Sequence, residues 1–369
     1  MNRSAWAMGI AGLAVGLVIG ALVAGPGRAP GTTETADAVP GAPPAGAGPV
    51  RWKMASTFPG TLTLLGESGK RLESRIALLS GGEIEIKFYE PGALVPAFEV
   101  FDAVSAGSVD AGWSASGYWA GKMPAAQVFN SVPFGPLFQE LMAWMRYGGG
   151  QKLYEELYEP HNVHPIVCFF VPQDGSGWFR APIASTADFA GLKIRFLGFG
   201  ARVLEKFGAS TQIIPGADIY TALELGTIDA TEFSMPAIDL DLGFDQIAKH
   251  YYLPGWHQPA NMGELIVNLA RWRALDARRQ ALIEAACGES VVDSLASGEA
   301  AQADALTTIR AHGVTIHRWP PEMLEAFRKQ WLVVADEVAA EDADFARVFT
   351  SLQDFRAHYR IWHEYGRFE

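Results

Sequence analysis

The stretch Phe101-Asp102-Ala103-Val104-Ser105-Ala106-Gly107-Ser108-Val109-Asp110-Ala111 is echoed later in the chain by Tyr220-Thr221-Ala222-Leu223-Glu224-Leu225-Gly226-Thr227-Ile228-Asp229-Ala230. Both run from an aromatic through Ala and an aliphatic residue to Gly, a hydroxyl residue, a β-branched residue and Asp-Ala. Each is preceded by Pro-Gly-Ala, at 91–93 and at 215–217. One unit reads as an apolar strand (Ile84 to Phe88, or Thr211 to Ile214), a Pro-Gly turn, a short helix and a second strand carrying the Asp-Ala. Gly107 and Gly226 are placed to end the helix in the left-handed conformation. Parallel strands joined by a helix make a covered α/β sheet, and ligands collect beyond the carboxyl ends of such strands. Two copies therefore predict an α/β fold of two similar lobes around one cleft. Trp113 in the first copy, and Glu232 and Phe233 in the second, are expected to face it.

The flanking segments suit this plan. Residues 60 to 79 carry a helical apolar stripe through Leu65, Leu72, Ile76 and Leu79. The apolar run Val163 to Val171 reads as a strand leading between lobes, and Gly263 to Leu269 as the returning strand. Two crossings make a hinge rather than a loose linker. Lobe I is expected over 50–172 with a return segment at about 260–310, and lobe II over 173–259. Helices over 311–369 are expected to pack across both. Beyond Trp272 the chain reads as mostly helical. Phe345, Phe349, Leu352, Phe355, Tyr359 and Trp362 form a stripe able to pack on its own protein or on a second copy, as a homodimer.

Before Val50 the sequence concerns export. Arg3 precedes an uncharged apolar run from Ala5 to Ala24, so 1–25 reads as a signal peptide or an uncleaved anchor. Residues 26–49, rich in Pro, Ala, Gly and Thr, bury too little apolar surface to fold and read as a disordered linker. The 369 residues include 41 acidic and 29 basic ones, a formal net charge of −12, which disfavours nucleic acid as a partner. With 49% hydrophobic residues a large core forms. A disulfide between Cys168 and Cys287 and a pair of buried thiols are both compatible with export; the apolar settings of both favour thiols. Asp174-Gly175-Ser176-Gly177 lacks the order of a nucleophile elbow, and no phosphate loop or dinucleotide fingerprint occurs.

Further motifs are Trp52-Lys53-Met54-Ala55-Ser56, Tyr118-Trp119-Ala120-Gly121-Lys122, Val132-Pro133-Phe134-Gly135, Gly177-Trp178-Phe179-Arg180 and Gly191-Leu192-Lys193-Ile194-Arg195. Together with the two Gly-x-x-Asp-Ala copies they resemble the periplasmic solute receptors of tripartite ATP-independent periplasmic (TRAP) transporters, over nearly all of 50–369. The resemblance implies a type II-like binding-protein fold. It implies a non-catalytic receptor that hands a small organic acid to the small and large membrane subunits of an ion-gradient-driven permease. Tyr251-Tyr252-Leu253-Pro254-Gly255-Trp256 and Glu232 point to the subgroup that holds a 2-oxo or 2-hydroxy acid with a metal cation. In that subgroup the arginine matching Arg195 clamps the carboxylate. A glutamine before Gly-Trp-Phe, the acid matching Glu232 and the carbonyl after it hold the cation.

Three departures stand out: Gln173-Asp174 where one glutamine is usual, Phe233 for a tryptophan, and Gln258 for an acid after Pro-Gly-Trp. Glu232, Phe233, Gln173, Asp174 and Gln258 thus make an oxygen-donor set for sodium or calcium. Arg195 suits a carboxylate because a guanidinium pairs with it through two parallel bonds. Arg180 is the second choice as clamp. Trp113, Tyr118, Trp178, Phe233 and Trp256 are expected to wall the cleft, with Asn130 as a polar contact. His161 and His164 read as structural residues of a loop, and His257 merely flanks Gln258. A sensory receptor, or an enzyme on the same scaffold, is the alternative reading.

Overall fold

Both copies of the repeat fold alike in a computed structural model that describes residues 48–366. The signal-peptide expectation, and the linker expectation up to residue 47, lie outside the described residues. The strands are β1 (Val50–Ser56), β2 (Ile84–Tyr89), β3 (Ala111–Ala115), β4 (Val163–Val171), β5 (Gly177–Phe179), β6 (Lys193–Arg195), β7 (Ser210–Gln212), β8 (Ala230–Thr231), β9 (His250–Leu253), β10 (Asn261–Asn268) and β11 (Thr315–Arg318). They form two sheets, of order β2-β1-β3-β10-β4 and β11-β9-β5-β8-β6-β7.

In the first repeat, β2 and β3 flank β1 in parallel; in the second, β7 and β8 flank β6 in parallel. The conserved-looking letters of the two stretches do the same work in each. Gly107 has φ 75° and Gly226 φ 71°, the left-handed turn that glycine adopts without a Cβ clash. The following hydroxyl residue closes the helix end, Ser108 N–H donating to Ala103 O at 2.9 Å and Thr227 N–H to Ala222 O at 3.0 Å. The aspartates brace the middle strand: Lys53 N–H donates to Asp110 Oδ2 at 2.8 Å, and Lys193 N–H to Asp229 Oδ2 at 3.1 Å. The repeat is thus a folding unit used twice.

β4 and β10 run antiparallel in the first sheet, and β5 and β9 continue directly into the second. Gly263 sits at a register shift of β10, where a Cβ would lie 1.8 Å from the Phe169 ring. A 35-residue helix, Ala277–Ala311, packs along β4. There the two cysteines correct the expectation of free thiols: Cys168 on β4 and Cys287 on this helix are disulfide-bonded. Apolar neighbours do not oppose pairing, because a disulfide is itself apolar; what decides is that helix and strand bring two buried sulfurs together.

Two more expectations need correction. Leu79 is exposed at the helix end, while Leu65, Leu72 and Ile76 are buried. The region beyond Trp272 is mostly helical, as expected, with one short strand, β11, joining the edge of the second sheet. In the last helix, Ala343–Tyr365, the stripe buries Phe345 and Leu352 but leaves Trp362 exposed, with Ile361 and Tyr365.

His164 lies on β4, not in a loop, with its ring stacked on Trp272 at 4.3 Å. Burial, helped by the Arg273 charge, pushes its pKa down to about 4. The folded protein therefore resists a proton that the unfolded chain accepts from about pH 6.5 downward. Stability is lost as pH falls from 6.5 toward 4, by on the order of 2 kcal/mol at pH 4.5. Urea unfolding of His164→Gln at pH 7 and 4.5 should show a smaller acid penalty than wild type. An equal penalty in both would reject this origin.

Candidate functional site

The strand ends of the second sheet converge on a sealed polar cluster. Arg195 ends β6, and Glu232 follows β8 beside it, its N–H donating to Arg195 O at 2.9 Å. The loop after β9 supplies His257 and Gln258. Asp174 comes from the crossing between β4 and β5. All five side chains are 0% exposed. The loop approaches the crossing closely: Gly255 N–H donates to Asp174 O at 2.8 Å, and a Cβ on Gly255 would sit 2.3 Å from that oxygen.

The charges are arranged as follows. Arg195 Nη1 donates to Glu232 Oε2 at 2.8 Å and to the Glu232 carbonyl at 2.6 Å, and Nε donates to Ile214 O at 3.3 Å. The guanidinium lies over the Phe233 ring, 5.1 Å from its centroid. Leu197 N–H also donates to Glu232 Oε2, at 3.0 Å. Burial pushes the Glu232 carboxyl up, but Arg195, His257 and the Leu197 amide together hold it below the ordinary carboxylate range. Asp174 lacks such a cation. Burial, then the Glu232 and Asp239 charges, push it well above that range. The Tyr118 phenol is pushed up to about 12, mainly by burial, with the Arg195 charge acting against it.

Polar side chains from the first sheet's side complete the cluster. Gln258 Nε2 donates to Asn130 Oδ1 at 3.3 Å. Asn130 Nδ2 donates to Asn261 Oδ1 at 2.5 Å and to Met262 O at 3.1 Å. Asp174 Oδ1 accepts from Ser234 Oγ at 3.3 Å. What is left over is informative. Arg195 Nη2, Asp174 Oδ2, Glu232 Oε1, Gln258 Oε1 and both ring nitrogens of His257 are buried without a hydrogen-bond partner. His257 Nε2 lies 3.3 Å from Glu232 Oε1, near enough for an ion pair but not aligned as a hydrogen bond. Each buried orphan costs about 1–3 kcal/mol, so a protein that gathers several in one place has built them for a ligand. Three acceptor oxygens suit a cation, and the guanidinium N–H pair suits an anion's oxygen.

Of the residues expected here, Arg195, Glu232, Asp174, Gln258, Phe233, Asn130 and Tyr118 lie in or against the cluster. Gln173 does not. Its side chain is exposed, whereas that of Asp174 is buried, because consecutive residues of an extended segment face opposite ways; both border a groove with Leu253, Gln302 and Arg318. Trp113 is core, its indole donating to Leu65 O at 2.7 Å. Trp178 is buried behind the site, stacked on Tyr251 and donating to Asp239 Oδ2 at 2.9 Å. Trp256 stacks with Phe134 and Phe196 and anchors the loop that carries His257. Arg180 is exposed and donates to Leu223 O, far from a clamp's role. Arg195 offers only Nη2 to an anion, since its other donors are committed to Glu232 and Ile214. Sequence reasoning missed His257, Asn261 and Asp239. His257 could have been found beside Gln258; the other two carry no motif.

Two repeat-built α/β sheets, with one buried cluster fed from both, define a two-lobed receptor for a small charged solute. The chain belongs to the bacterial extracellular solute-binding protein family 7, whose model matches residues 55–342. The resemblance to TRAP receptors is thereby borne out. The chain is 34% identical over 314 residues to a monocarboxylate 2-oxoacid-binding periplasmic protein of Nostoc sp. PCC 7120, covering 85% of this chain and 86% of the relative. A TRAP solute-binding protein of Bordetella bronchiseptica, solved as a dimer with calcium and picolinate in its active site, matches at 36% identity and a TM-score of 0.84. The match covers 86% of this chain and 95% of that one. One from Pseudoalteromonas atlantica, with sodium and pyruvate, matches at 31% identity and a TM-score of 0.81, covering 86% and 97%. Among the described residues no helix is long and apolar enough to cross a membrane.

Proposed function

We propose that this receptor captures a small 2-oxo or 2-hydroxy monocarboxylate together with a cation, without chemistry, in the periplasm, and delivers it to a TRAP permease. The observation that carries the reading is the set of orphaned buried atoms, which complements a cation and an acid at once. Glu232 balances Arg195, while Asp174 is pushed toward its neutral form and ionises only with a cation beside it; an acid then adds a further negative charge. A cation held by Asp174, Glu232 and Gln258 offsets both. Arg195 Nη2 receives the carboxylate, and Arg195 Nη1 keeps Glu232 ionised and oriented. Asn130 and Asn261 reach the cluster from one sheet, and Arg195 and Glu232 from the other. Contacts to both exist together only when the halves meet, so the ligand favours the closed state that a permease could sense. The strand membership of the two sheets supports lobes at 50–172 with 260–310, and at 173–259.

Mass spectrometry of small molecules released from the purified protein should find such an acid. Pyruvate at about 100 times its Kd should raise stability by about 2.7 kcal/mol, a Tm shift of several degrees. Pyruvate consumed during the experiment would favour the enzyme reading. No shift with any 2-oxo or 2-hydroxy acid would reject the receptor reading.

A further inference from the structure

Behind the ligand cluster a further buried carboxyl gathers three hydrogen bonds. Asp239 is 1% exposed and lies in the first turn of the short helix Pro236–Asp241. Its Oδ2 accepts from the Trp178 indole at 2.9 Å and from the Tyr251 hydroxyl at 3.3 Å. Its Oδ1 accepts from the Ser234 N–H at 3.0 Å. The donors come from three separate segments: Trp178 from β5, Tyr251 from β9 and Ser234 from the loop after β8. Each segment leads into the cluster, Trp178 to Asp174 before it, Ser234 to Glu232 before it and Tyr251 to Gln258 after it.

The link to Asp174 is the most direct. Ser234 Oγ donates to Asp174 Oδ1 at 3.3 Å, and Gly175 N–H donates to Ser234 O at 2.9 Å. The fit has no slack, since a Cβ on Gly175 would lie 2.0 Å from the Tyr251 hydroxyl oxygen. Asp239 thus holds the backbone of Ser234, and the Ser234 hydroxyl holds one oxygen of Asp174 while the other stays unpartnered. An asparagine could not replace the acid here, because its NH2 would face an indole or an amide that can only donate. A scaffold does not call for an acid at this place. Trp178 and Tyr251 already stack at 4.1 Å, and a third carboxyl buried beside Asp174 and Glu232 opposes their ionisation.

We propose that Asp239 is a positioning residue of the cation site: acting through Ser234, it turns Asp174 toward the cation and raises the cation's affinity. The proposal rests on reading the cluster as the receptor's ligand site, and adds to it a residue that touches neither cation nor acid.

The test uses the full folded chain, stripped of metal by chelation, with pyruvate present. Calcium chloride and sodium chloride are titrated by calorimetry. The cation that wild type binds more tightly is then followed through Asp239→Asn, Ser234→Ala and the double variant. Each single substitution should weaken it about tenfold. The double variant should lose no more than about twentyfold, because both changes cut one chain of contacts. Losses that multiply to about a hundredfold, a lower Tm with unchanged affinity in Asp239→Asn, or wild-type affinity in Ser234→Ala would each overturn the proposal. Should Asp239→Asn fail to fold, Tyr251→Phe takes its place in the cycle. It removes one donor to the same carboxyl, and its loss of about threefold should vanish in the Ser234→Ala background. Wild type that binds neither cation but keeps its pyruvate-induced Tm shift sinks the proposal and leaves the capture of an acid standing. Wild type that responds to no 2-oxo or 2-hydroxy acid sinks both.

Discussion

Arg195→Met is expected to abolish the thermal response to pyruvate and to destabilise the protein by about 3–5 kcal/mol. The two effects have different origins. Binding is lost because Nη2 is the buried donor left for an anion. Stability is lost because Arg195 and Glu232 form a fully buried pair, 2.8 Å apart. Removing the cation strands a carboxylate whose desolvation nothing then offsets except His257 and one amide. A second substitution separates the two. Arg195→Met combined with Glu232→Gln removes the stranded charge, so most of the lost stability should return while pyruvate binding stays absent. Chemical denaturation of the four proteins of the cycle, with and without pyruvate, checks both parts. A single variant that melts with the wild-type pyruvate shift would show that the clamp lies elsewhere.

Cys168→Ala/Cys287→Ala should cost about 5 kcal/mol. The bond closes a loop across 119 residues of sequence, and by loop-closure entropy a constraint of that length raises the free energy of the unfolded chain by about this amount. Both cysteines are 0% exposed. Reductant should therefore leave the native protein oxidised and act only on unfolded chains. The bond ties β4, which leads from one sheet to the other, to the long helix Ala277–Ala311. Its loss should act on the framework without touching the ligand site. The expected readout is a lower guanidinium midpoint in the double variant, matched by wild type unfolded under reductant, with pyruvate affinity retained. Equal midpoints with and without the bond would reject the estimate.

The repeat was legible because its letters carry local backbone demands. Gly107 and Gly226 must be left-handed, and Asp110 and Asp229 must catch the amide of a neighbouring strand. Such demands act over a few residues and leave a mark in the sequence. The strands β4 and β10 were legible as largely apolar runs, broken only by His164 and Pro165 in the one and Glu264 in the other. At the site, Arg195 and Glu232 were found through motifs placed at the ends of those strands. The direction of a side chain from an irregular segment was not legible. Gln173 and Asp174 are neighbours with similar claims, and only the packing of the 253–258 loop against Asp174 O turns the acid inward. Trp113 fails for a related reason: a strand end near a cleft still has one face in the core, and the indole took it.

The sequence by itself determined a repeated α/β unit, its turns and caps, and an arginine and a glutamate at corresponding strand ends. These follow from period, glycine geometry and apolar content, which act locally. The tertiary structure alone decided that Cys168 meets Cys287, that β11 completes the second sheet, and that His257 joins Asp174 and Glu232 in one buried cluster. Those outcomes depend on which distant segments become neighbours in the dry interior, where an unpaired charge is costly. That cost is set by packing across the whole fold and leaves no local trace in the order of residues.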